Sequence, residues 1–159
     1  LQVLQVLAAS PLPEECCITV VMLSSAPWLN TVQKLSKLMP RPIEIVIDTT
    51  DMASLMSNAD LAISAAGGTS WELICLGLPS FLLVLADNQV SAALAMESTN
   101  TAILLGDIRT DSWQKKLIQK LENINKKGYL SNFFDSKNNL IDGLGCNKCV
   151  TEIEKAFTK

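Results

Sequence analysis

A chain of 159 residues with 48% hydrophobic and 18% charged content can bury a core of its own and leaves little room for two full domains. Its net charge of -3, with Arg41 and Arg109 as the only arginines, lacks the electrostatic footprint of a nucleic-acid surface, so no nucleic-acid partner is expected. The longest apolar run, residues 76–86, is broken by Pro79 and Ser80 and falls short of the ~20 residues of a membrane span; the opening "LQVLQVLAAS" has neither a basic leader nor a cleavage signal, so a cytoplasmic protein is expected.

In chain order, residues 1–9 set Leu1, Leu4, Leu7 and Ala8 on one helical face. A sheet of the kind that follows usually opens with a strand, and there is no initial methionine. The expectation is therefore a piece of a longer protein, cut after its first strand and the loop behind it. The run "CCITVVML" predicts a strand over 17–23 with Cys16 and Cys17 as buried thiols. Further short apolar runs predict strands at 43–47, 61–65, 80–85 and 101–105. Helical periodicity falls between them at 28–38, 52–58, 71–76, 89–97 and 113–124, most of these segments opened by Thr, Ser, Asp or Asn. Alternating strands and helices, with strands apolar nearly throughout, predict an α/β fold: a doubly wound, Rossmann-like parallel sheet in a single domain over 1–159. Lys115, Lys116, Lys120, Lys126 and Lys127 read as a solvated helix face. Near the end, Gly143 and Gly145 precede a helix through Val150, Ile153 and Phe157, expected to pack on the sheet or on a partner domain.

Five cysteines are an odd number. "CNKC", Cys146 to Cys149, has metal or redox spacing, yet the chain has no histidine and no second such pair to complete four ligands. No metal site and no cofactor are expected.

The chemistry concentrates in "DLAISAAGGTSWELICLGLPS", residues 60–80. A strand leads into Gly67 and Gly68, and Thr69 with Glu72 three residues on has the spacing of a capping box. Gly77 ends the helix and Pro79 prevents its continuation. A helix start at the carboxyl end of a parallel strand offers unpaired N–H groups to an anion, which explains how such a loop could hold phosphate without lysine or arginine. Spacing alone leaves a phosphate site and a plain tight turn equally open. The P-loop pattern GxxxxGK[ST] is absent, which argues against ATP hydrolysis, and no GxGxxG is present.

The stretch "ADLAISAAGGTSWELICLGLPSFLLVLADNQ", with "IDTTDM" before it and "LIDGLG" after, resembles the nucleotide-sugar-binding half of a glycosyltransferase-B-like family. The likeness is to the UDP-sugar hydrolase of pseudaminic acid biosynthesis and its spore-coat polysaccharide relatives, and more distantly to the peptidoglycan N-acetylglucosaminyltransferase MurG. It runs over about 43–145 and is most specific over 59–89. The resemblance implies the C-terminal of two Rossmann-like domains, with UDP-sugar as ligand and the N-terminal domain as partner. It assigns Gly67, Gly68, Thr69 and Ser70 to the diphosphate, Glu72 to the ribose hydroxyls, Asn88 and Gln89 to the sugar or diphosphate, and 48–52 to the base through backbone groups. Capping and ribose binding by Glu72 compete for one carboxylate, and Asn88 with Gln89 also fits a plain helix opening. The family loop is usually of "GAGGST" type with "AENQ" beyond, where this chain has "SAAGGT" and "ADNQ". The hydrolase draws a histidine from its N-terminal domain to activate water; this chain has none, so no catalytic residue is expected in it and alone it should not catalyse. The alternatives are the donor domain of a glycosyltransferase and a non-catalytic α/β binding module.

Overall fold

The computed structural model describes residues 1–110, 112–124, 126, 128–129 and 141–157. Strands and helices alternate in the expected order: α1 (Gln2–Ala8), β1 (Ile18–Met22), α2 (Leu29–Ser36), β2 (Ile43–Ile47), α3 (Met52–Ser57), β3 (Ala62–Ala65), α4 (Gly68–Cys75), β4 (Ser80–Val84), a 3-10 turn (Asp87–Gln89), α5 (Val90–Ser98), β5 (Ile103–Asp107), α6 (Ser112–Ile124) and α7 (Gly145–Phe157). All pairing among the described strands is parallel, in two sheets: β1 with β2, and β3-β4-β5 with β4 in the centre.

β4 shows why the fold is layered. Its sequence "SFLLV" is buried at every position, so successive side chains must enter apolar cores on opposite faces. Phe81 and Leu83 pack with Leu4 and Leu7 of α1, Val32 of α2 and Trp113, Leu117 and Leu121 of α6. Leu82 and Val84 pack with Ile74 of α4 and Ala93 and Met96 of α5. Each large apolar side chain buried this way contributes about 1.5–3 kcal/mol, so helices on both faces follow from the strand itself. Arg41, which is buried, fastens α1 to the chain entering β2: its guanidinium donates to the Leu7 carbonyl, to Ser10 Oγ at 3.0 Å, and to the Ser10 and Leu12 carbonyls at 3.3 and 3.0 Å. A cation at the carboxyl end of a short helix lies at the negative end of its dipole, which is favourable.

Several expectations are corrected. β1 begins at Ile18, because the Cys16 N–H still closes a turn onto the Pro13 carbonyl at 3.1 Å; Cys17 is exposed and Cys16 only partly buried, so neither is a core thiol. Thr19, Val21 and Glu44 are exposed, so β1 and β2 are covered on one face only. β5 starts two residues late, since Thr101 N–H and its hydroxyl both bond the Met96 carbonyl, at 3.1 and 3.0 Å, and finish α5. Of the intervening helices, α3 has the expected cap, Asp51 accepting from Ser54 N–H at 3.1 Å, while α2, α4 and α5 are capped by Trp28, Gly67 and Gln89 without a side-chain bond. No residue of α7 is buried, and Val150, Ile153 and Phe157 all face solvent, so this helix does not pack back on the sheet. Lys115 and Lys126 are solvated as expected; Lys116 is partly buried and donates to the Leu104 carbonyl, and Lys127 lies outside the described residues.

Candidate functional site

The site is built where β3 becomes α4. Pairing continues one residue past the strand through Ala66 N–H to the Leu83 carbonyl at 2.9 Å, and Gly67, extended at φ -108° and ψ -158°, then caps the helix. The helix opens at Gly68, so the Thr69–Glu72 capping box does not form. Ser70 is the physical reason. It is 1% exposed, its N–H bonds the Gly67 carbonyl at 3.1 Å, and its hydroxyl donates to the same oxygen, which closes the first turn around Gly67. Thr69 is thereby left inside the first turn with its side chain exposed, and Glu72, also exposed, has no hydrogen-bond partner among the described residues. The Gly68 and Thr69 N–H groups likewise find no acceptor there, as first-turn donors of an uncapped helix must.

A Cβ on Gly67 would make an ordinary contact with Gln89 Nε2 at 3.7 Å, and one on Gly68 would meet nothing within 4 Å. Neither residue has a positive φ. Gly77 is the contrast: at φ +67° it ends α4, with Gly77 N–H on the Ile74 carbonyl and Leu78 N–H on the Leu73 carbonyl, both at 3.0 Å, a Schellman arrangement that needs glycine. Backbone and packing explain Gly77. They do not require glycine at 67 or at 68, and at Gly68 open space lies beside bare helix-end donors.

Gln89 is brought to this loop by β4. Its Oε1 accepts from Leu85 N–H at 2.9 Å, which leaves its Nε2 donor directed at Gly67. Asn88 is exposed in the same 3-10 turn. Asp87, alongside, pairs with Arg109 at 2.6 Å, and Arg109 also grips Asp107 at the end of β5 at 2.5 Å. Hydrogen bonds from Arg109 pull the Asp107 carboxyl down to about 2, and the two carboxylates raise the guanidinium in turn. Arg109 is not legible as a site neighbour in the sequence because its partner Asp87 lies 22 positions away. The adjacency of β4 and β5 in a parallel sheet was the available signal. After β2, Asp48 sits at φ +50° and accepts from Ser24 N–H at 2.8 Å, a bond that lowers its carboxyl. The structure thus gathers Gly67, Gly68, Thr69 and Gln89 at one loop, with Asn88 beside it and Glu72 one turn along α4. Ser70 lies beneath, with its hydroxyl already engaged.

Residues 2–142 match the glycosyltransferase family 28 C-terminal domain, and the chain belongs to that family. It is a nucleotide-sugar-binding domain of the glycosyltransferase-B type, in line with its parallel, helix-flanked architecture. The chain is also similar to the spore coat polysaccharide biosynthesis protein SpsG of Bacillus subtilis (strain 168), at 34% identity over 86 residues, which is 54% of this chain and 25% of that relative. The chain therefore matches about a quarter of the relative's length. Among the described residues no helix is long and apolar enough to cross a membrane, and no group of three or more acidic, histidine or cysteine side chains could hold a metal ion.

Proposed function

We propose that this domain binds a UDP-sugar in the cytoplasm and that the protein it serves hydrolyses it, releasing UDP in surface-polysaccharide or pseudaminic acid biosynthesis. The observation that carries the reading is the pair of glycines at an uncapped helix start, free of any packing or φ requirement and within reach of the Gln89 amide. In this reading Gly68 and Thr69 N–H groups receive the diphosphate, Glu72 accepts from the ribose hydroxyls, and Asn88 and Gln89 address the sugar or the diphosphate. Ser70 supports the loop from below, its hydroxyl satisfied within the turn. Water attacks the anomeric carbon, the bond to the diphosphate oxygen breaks, and aimed main-chain donors stabilise the charge that gathers on the departing UDP. Losing one such donor costs on the order of 100-fold in rate. The family resemblance assigns the base that takes the proton from water to a histidine of an N-terminal domain; this chain contains no histidine.

The family match to a glycosyltransferase domain favours a second reading, in which the same half-site delivers the sugar to an acceptor held by the other domain. Following UDP release from UDP-N-acetylhexosamines by the full-length protein, with and without acceptor, separates the two. Release that strictly requires an acceptor rejects the hydrolase. Calorimetric titration of residues 1–159 with UDP tests the site itself, and no heat up to millimolar UDP would favour a non-catalytic module.

A further inference from the structure

The start of α7 carries two thiols, Cys146 and Cys149, both free and both exposed, on a helix with no buried residue. That first turn is nevertheless well tied. The Asp142 carboxylate accepts from Leu144 N–H at 3.0 Å and from Lys148 Nζ at 2.6 Å, and Lys148 N–H bonds the Leu144 carbonyl at 3.1 Å. These bonds bracket Cys146 and end one residue before Cys149, so the two cysteines are held in helical register. Residues three apart in a regular helix have Cα atoms about 5 Å apart, inside the range of about 4.4–6.8 Å that a disulfide accepts. Joining them displaces no core side chain, since none of α7 is buried. A third thiol stands near the start of α7: Cys75, exposed at the end of α4, has its Sγ 3.4 Å from where a Cβ on Gly143 would stand. Among the described residues no three acidic, histidine or cysteine side chains form a metal-binding group, and two sulfurs at this spacing suit exchange between dithiol and disulfide.

We propose that Cys146 and Cys149 are a thiol–disulfide exchange site, open to low-molecular-weight disulfides of the glutathione class. Helix side chains lean toward the helix start, so Cys149 leans over the turn that carries Cys146, and Cys146 leans past that turn to solvent. Cys146 therefore meets the incoming disulfide and Cys149 resolves the product. The Cys146 sulfur gives its proton to solvent and attacks one sulfur of oxidised glutathione, whose S–S bond breaks and releases one glutathione thiolate. The Cys149 sulfur, deprotonated in the same way, attacks the Cys146 sulfur and expels the second glutathione. Two protein thiols are oxidised to one disulfide, one glutathione disulfide is reduced to two thiols, and the two protons end on the released thiolates. Cys75 takes no part. In a compartment kept reducing by glutathione such a pair opens and closes with the supply of oxidant and does not stay locked.

The test equilibrates the 159-residue chain, and its Cys149→Ser and Cys75→Ser variants, in a millimolar buffer of reduced and oxidised glutathione. Acid quenching, alkylation of the remaining thiols and tryptic mass spectrometry follow. Lys148 lies between the two cysteines, so trypsin cuts there and the disulfide appears as peptides 138–148 and 149–155 joined. A thiol tethered three residues away acts at an effective concentration well above that of the buffer, so the joined pair should exceed the glutathione adduct on Cys75 at least about tenfold. Cys75→Ser should leave that yield unchanged, and Cys149→Ser should replace the joined pair by a glutathione adduct on Cys146. Adducts at Cys75, Cys146 and Cys149 in similar amounts without linkage, a disulfide to Cys75, or a disulfide between two chains would each overturn the proposal. The readout involves no nucleotide, so the outcome stands apart from whether UDP binds.

Discussion

Replacing Gly68 by aspartate separates folding from ligand binding. The new side chain enters open space, with nothing within 4 Å of its Cβ, and the backbone needs no adjustment. As the first residue of α4 it also places a carboxylate at the positive end of the helix, worth about 0.3–1 kcal/mol, and removes the conformational cost of glycine. Stability should hold or rise slightly. Binding should fail, because the same carboxylate stands where phosphate oxygens approach: two unit charges about 4 Å apart repel by about 4 kcal/mol at an effective dielectric of 20, and even about 3 kcal/mol is over 100-fold in affinity. The assay pairs urea unfolding with calorimetric titration of UDP, run at two salt concentrations. A variant that folds as expected and binds UDP like the parent refutes the placement of the diphosphate.

Four further outcomes are expected. Ser70→Ala should lower stability by about 1 kcal/mol in urea, because its hydroxyl ties the first turn of α4. Gly77→Ala should cost about 1–2 kcal/mol, as alanine must adopt φ +67° there; an unchanged midpoint would contradict the assigned cap. Arg41→Met should destabilise by about 2–4 kcal/mol by taking the donor from the carbonyls of Ser10 and Leu12, read from the same denaturant curves. Asp107, held at about 2 by Arg109, has a folded value below its unfolded one, so its contribution is present above about pH 4 and disappears as pH falls toward 2; Arg109→Ala should flatten that acid limb of the stability profile.

The alternation of "SFLLV" and its neighbours with amphipathic segments made the layered parallel architecture legible, because burial on both faces leaves an unbroken apolar run. Gly77 and Pro79 marked the end of α4 for a local reason that the backbone bears out. The start of that helix was misread: Thr69 and Glu72 have the spacing of a box, but the buried Ser70 competes for the same turn and wins, and burial is a tertiary fact. Cys16 and Cys17 looked like strand residues by composition, while a turn closed by Pro13 keeps them outside. For α7 the apolar stripe was plain in the sequence; what it packs against depends on neighbours that local pattern does not encode. Arg109 was invisible for a related reason, since its link to Asp87 spans 22 positions.

Under the proposed reading, that link also bears on which nucleotides the site would accept. Its guanidinium is shared between two carboxylates, so the trio carries an excess of one negative charge and has little cationic capacity to spare. Each extra anionic group on an incoming ligand raises the repulsion, which disfavours free triphosphates relative to a diphosphate whose far end is masked by a neutral sugar. An abundant cellular pool of ATP would then be a poor competitor, excluded by charge number before shape is consulted.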